Sequence, residues 1–160
     1  MTAQSDAQHR LVLHGAIILL VGFLSGYVAV FEEVSRSGHA WQAGHAALLL
    51  TGVWLMATAA VLPLLELPRR EAKALLVSLT GGAYSFMAAV LIQAATGVRA
   101  ISPDVRGISL VAFAANLLAV LGTTLAASLT ILGAWNGLRA ARREARTDPL
   151  APTPSLAPGE

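Results

Sequence analysis

Apolar residues gather into four long blocks separated by short polar stretches. They cover about 11–31, 46–65, 74–95 and 108–135. The first contains His14 and the phenol of Tyr27, and the other three contain no charged residue. Each block reaches about 20 residues or more, the length that carries a helix across a ~30 Å hydrocarbon layer. A water-soluble bundle shows one polar face per helix, and none of these blocks has one. The pattern predicts an all-α protein, a four-helix transmembrane bundle occupying residues 1–146. The blocks are rich in Gly, Ala, Ser and Thr, which let helix backbones approach closely in lipid. The first block is too long for the apolar core of a cleavable signal, and no cluster of positive charge precedes it.

Composition agrees. Of 160 residues, 56% are hydrophobic and 12% charged, against roughly 25% charged in a soluble domain. Mean hydropathy is +0.66. The absence of cysteine removes disulfides, thiolate metal sites and thiol catalysis. The charges set an orientation. Arg10, then Arg69, Arg70 and Lys73, then Arg139, Arg142, Arg143 and Arg146 put eight cations on one side; Arg36, Arg99 and Arg106 put three on the other. The positive-inside rule then predicts cytoplasmic N- and C-termini, in a multi-pass protein of the bacterial-type inner (plasma) membrane. The same placement explains a pI near 9.7 without a nucleic-acid partner.

After Arg146 the chain carries four prolines in fourteen residues. Residues 147–160 are therefore expected to be a disordered, Pro-rich cytoplasmic tail. No Gly-rich phosphate loop follows a strand, and no paired-histidine zinc motif occurs.

In so apolar a chain, the polar groups in and beside the spans carry the information. His45 opens the second span, and Trp41 lies four residues earlier on the same helical face. This is either an interfacial histidine with a belt tryptophan, or an axial ligand to haem iron. Glu32 and Glu33 end the first span on the same side, as a solvated helix end or as an orienting carboxylate for the imidazole. His14 lies near the opposite side. Helix rise separates it from His45 by roughly 20 Å or more, too far for both to hold one iron, and a bond to a carbonyl or water is expected for it. His9 falls in the N-terminal tail and His39 six residues before His45. Gln93 and Asn116 need partners across helices; Asn116 is either interhelical glue or a pocket donor. Thr51, Thr80, Tyr84 and Ser85 have hydroxyls that can bond their own helix.

The spacing Trp41, His45, Gly52 and Val61-Leu62-Pro63 resembles that of the membrane-bound styrene oxide isomerases, in which a Trp stands four residues before a His, a Gly seven after it, and Val-Leu-Pro ends the same helix. His14-Gly15 and the third-loop residues Arg99, Ser102 and Arg106 are also similar. The resemblance implies a four-helix membrane protein assembled as a homotrimer in membrane lipid and binding haem b. It makes His45 the axial ligand to the iron, with Trp41 beside the cofactor. Ferric iron would act as a Lewis acid on a small apolar epoxide, which rearranges by hydride shift to a carbonyl compound without net redox change. The family's Asn six residues after the histidine is Thr51 here. Its third-span Asp and Tyr fall on Gly82 and Val90, or with a two-residue gap on Thr80 and Ala88. Thr51 and Asn116 are then the candidate pocket groups to orient the epoxide oxygen. Two readings follow: a haem-dependent epoxide isomerase, or a non-catalytic membrane haem protein for sensing, carriage or gas binding.

Overall fold

The computed structural model describes residues 3–31, 38–97 and 107–147. Four α-helices account for nearly all of them: α1 (Ala3–Phe31), α2 (Gly38–Val61), α3 (Arg69–Thr96) and α4 (Ile108–Thr147). A single 3-10 turn, Leu62–Leu64, follows α2. Each helix contains a stretch long and apolar enough to cross a membrane, so the chain is a multi-pass membrane protein.

The helices outrun the apolar blocks. Hydropathy marks the part that suits lipid, but a helix continues while its residues favour it. At the start of α1, Asp6 and Arg10 pair at 3.0 Å across one turn, a spacing that supports a helix. His9 therefore lies in α1 and not in a tail; its Nδ1 donates to the Ser5 carbonyl at 2.6 Å. At the other end α4 continues to Thr147. The rest of the expected tail lies outside the described residues, as do Glu32, Glu33, Arg36, Arg99, Ser102 and Arg106.

The interior is built from small side chains and a few leucines, while larger groups point outward. Leu11, Ile18, Leu48, Leu55, Leu75 and Leu79 are fully buried. Leu13, Leu20, Phe23, Tyr27 and Val30 on α1 are exposed. Water drives nothing together inside a bilayer, so close backbone packing takes over. At the crossing of α1 and α2, a Cβ on Gly15 would lie 2.9 Å from the Gly52 carbonyl oxygen, and one on Gly52 would lie 2.8 Å from that of Gly15. In α4 the buried positions Ala112, Ala119, Ala126 and Gly133 recur every seventh residue, the repeat that keeps one seam on a neighbouring helix. A Cβ on Gly122 would lie 2.9 Å from the Ser78 carbonyl oxygen of α3.

The result is two tight hairpins, α1–α2 and α3–α4, joined where α3 meets α2 and α1. Among the described residues, the backbone of α4 runs close to α3 and the 3-10 turn but not to α1 or α2.

Pro63 ends α2 by a mechanism visible in the bonds. The Ala59 carbonyl would normally accept the N–H four residues on, and proline has none. The Gln8 side-chain amide donates to that oxygen at 3.1 Å instead. Beyond the turn, the Glu66 N–H donates to the Gly133 carbonyl at 3.1 Å and Asn136 Nδ2 donates to the Glu66 carbonyl at 3.2 Å. The connection between the hairpins is thus pinned to both α1 and α4. At the far end of α3, Gly97 adopts φ 70° and closes the helix by donating to the Gln93 carbonyl.

Candidate functional site

His45 is the eighth residue of α2, at the start of its third turn, half-buried against α1. Its Nδ1 is 2.7 Å from the carbonyl oxygen of Gly22. A carbonyl only accepts, so Nδ1 carries the proton and Nε2 is left as the nitrogen able to bind a metal. The Gly22 oxygen also accepts the buried Ser25 hydroxyl at 2.7 Å.

One turn further along α1, Gly26 makes space for the ring. A Cβ there would come within 2.7 Å of His45 Nδ1 and 2.8 Å of Cε1. The imidazole is therefore seated on bare backbone, turned by one hydrogen bond, with its other nitrogen free of that bond. Trp41, also half-buried, precedes it by one turn of the same helix.

Gly22, Ser25 and Gly26 were not among the residues the sequence singled out. Their signal is the run of small residues at i, i+3 and i+4 in the first span, which marks close approach of a partner helix. Nothing in the pattern says that a histidine occupies that approach.

His14 is engaged elsewhere. Its Nδ1 and the Tyr84 hydroxyl of α3 share a hydrogen bond of 3.0 Å, and the rings meet edge to face at 5.6 Å between centroids. The carbonyl or water expected for His14 is replaced by a phenol from another helix, so Tyr84 does not bond its own backbone either. His45 packs back on Gly22 and Gly26, eight and twelve residues beyond His14. Helix rise makes that offset about 12–18 Å along α1, shorter than the roughly 20 Å expected and still too long for both histidines to reach one iron.

Thr51 and Asn116 are not brought together within the chain. Thr51 is on α2 and Asn116 on α4, and among the described residues the backbones of those helices do not come close. The Thr51 hydroxyl donates its one proton to the Ala47 carbonyl at 2.8 Å, so it is arranged to accept, not to donate to an epoxide oxygen. Asn116 is half-buried, midway between the seam residues Ala112 and Ala119, a place that fits packing on α3.

Of the third-span positions, all but Ala88 are taken up by structure. Gly82 packs on the backbone of Gly122 and Thr123, and Val90 sits against Gly44 of α2. Thr80 donates to the Leu76 carbonyl at 2.8 Å. Ala88 borders an open apolar cleft of about 550 Å³ between α3 and α4, with Tyr84 and Ser85 beside it. His39 is exposed at the start of α2. Gln93 is half-buried near the end of α3.

Among the described residues, no cluster of three or more His, Asp or Glu could hold a bare metal ion. A haem needs less from the protein, because its macrocycle supplies four donors and one imidazole supplies an axial ligand. A histidine whose Nδ1–H is committed to a backbone carbonyl meets that requirement, and such a partner orients the ring and raises its basicity. On this test His45 fits the group as its ligand.

The family model described as styrene oxide isomerase matches residues 7–135. No curated protein and no solved structure matches the chain.

Proposed function

Because the chain belongs to the styrene oxide isomerase family, we propose that it is a haem b-dependent epoxide isomerase of the bacterial inner membrane. Ferric haem, when bound, supplies a Lewis acid that draws electron density from an epoxide oxygen. The single observation that carries this reading is the hydrogen bond from His45 Nδ1 to the Gly22 carbonyl.

Each residue has a defined task. His45 would hold the haem iron through Nε2. Gly22 holds the tautomer, and Gly26 leaves room for the ring. Trp41, one turn earlier on the same helix face, would lie beside that group. The surrounding spans are apolar, so they exclude the water that would turn an opened epoxide into a diol. With Thr51 bonded to Ala47 and no carboxylate at the matched third-span positions, positive charge growing on carbon is stabilised by the substrate. Aryl epoxides are therefore the expected substrates and alkyl epoxides poor ones. Assembly as a homotrimer, with both termini in the cytoplasm, belongs to the same proposal.

The test is membranes carrying the protein, incubated with styrene oxide and scored for phenylacetaldehyde, with His45→Ala as the control. The expected result is slow aldehyde formation that is lost with His45 along with the Soret absorbance. Product formation independent of His45 overturns the assignment.

One observation favours a second reading, a non-catalytic membrane haem protein. The positions matching the family's Asn and Asp are occupied here by groups engaged in backbone bonds or packing, and the position matching its Tyr by Val90 or Ala88, neither of which carries a hydroxyl. Haem bound by the wild type, with no turnover of aryl or alkyl epoxides, selects it.

A further inference from the structure

At the end of the molecule opposite His45, the connection between the hairpins and the last turns of α4 enclose a cleft of about 1100 Å³. Arg69 and Lys73 of α3 and Arg139 and Arg143 of α4 line it, and Glu66 is the one carboxylate among its described lining residues. Leu62, Leu67 and Leu76 form an apolar wall beside these charges.

We propose that this cleft is a binding site for the phosphate headgroup of an anionic phospholipid. Three observations converge on that occupant. Even without Arg143, the three cations Arg69, Lys73 and Arg139 outnumber the one lining carboxylate, so the cleft is complementary to an anion. The cations stand where apolar spans end, the depth of lipid phosphates, and basic pockets between spanning helices at that depth suit such headgroups. The apolar wall continues from the charges toward the membrane, which accommodates acyl chains that a free ion lacks.

The cleft is also built. The bonds of Glu66 to Gly133 and Asn136 fix its floor, and a Cβ on Gly137 would lie 2.6 Å from the Leu64 carbonyl oxygen, so the turn sits directly on α4. Arg139 is stacked over the exposed Trp135 ring at 4.9 Å, which holds its guanidinium at the interface. The first turn of α3, which carries Glu71, borders the same space without a side-chain cap, and the positive end of the helix dipole adds to the attraction for negative charge.

The experiment is native mass spectrometry of the full-length protein in mild detergent with equimolar phosphatidylglycerol and phosphatidylcholine. The expected result is retention of phosphatidylglycerol over phosphatidylcholine by about tenfold, falling below about threefold in half-molar salt. The paired change Lys73→Gln and Arg139→Gln is expected to abolish the preference, and Arg142→Gln, outside the cleft, to keep it. Equal retention of the two lipids by the wild type overturns the proposal, whether or not the paired variant inserts. So does full displacement of the bound lipid by 10 mM inorganic phosphate or glycerol phosphate, which would make the occupant a free phosphate.

Discussion

The Nδ1 of His45 and the carbonyl oxygen of Gly22 lie 2.7 Å apart, across the contact between α2 and α1. This bond decides which imidazole nitrogen is protonated and therefore which one can bind iron. It depends on Gly26, because a side chain there would meet the ring within 2.7 Å.

Gly26→Val is expected to lower haem affinity far more than stability. The ring can swing away, at the cost of one hydrogen bond of about 1 kcal/mol, so the helices stay packed while the ligand is misdirected. Haem-to-protein ratio from the Soret band and unfolding in denaturing detergent, measured on the same samples, check this. His14→Ala, and Tyr84→Phe at a cost of about 0.6 kcal/mol, should leave the ratio unchanged; haem loss in His14→Ala would contradict the assignment of His45 as the protein's ligand.

Gly52→Leu is expected to disrupt the α1–α2 hairpin, since the new side chain must displace the Gly15 carbonyl or Leu19. Overpacking of this kind costs about 1–3 kcal/mol. Gly81→Ala is the contrast: its Cβ meets nothing within 4 Å, and helix propensity predicts a gain of up to about 1 kcal/mol. Thermal unfolding followed by circular dichroism should order the three proteins Gly81→Ala, wild type, Gly52→Leu.

Gln8→Ala removes the donor to Ala59, whose carbonyl Pro63 cannot serve. A loss of about 1–2 kcal/mol is expected. Pro63→Ala in the same background restores a backbone N–H and should recover part of it. Stability equal to wild type in Gln8→Ala would mean that solvent or lipid headgroups satisfy the carbonyl.

The eight-to-three bias in Lys and Arg predicts that reporters fused at the N-terminus and after Arg146 read cytoplasmic, and that one inserted near Arg36 reads external. A C-terminal reporter on the outside would reverse the orientation and remove the cleft at Arg69 and Arg139 from the cytoplasmic leaflet.

Four spans were legible from the chain because the demand for about 20 consecutive apolar residues is local and every residue in a span obeys it. The proline that ends α2 and the spacing of Trp41, His45 and Gly52 were legible for the same reason, as they lie on one helix. What lies across helices was not. That Gly15 meets Gly52, that His45 rests on Gly26 and bonds Gly22, and that His14 pairs with Tyr84 depend on how far each helix slides and turns against its neighbour. Small residues permit many such registers, and only the packed structure selects one. The placement of Thr51 and Asn116 on helices whose backbones are not neighbours is a consequence of the same selection, since hydropathy gives the number of spans but not which lie side by side.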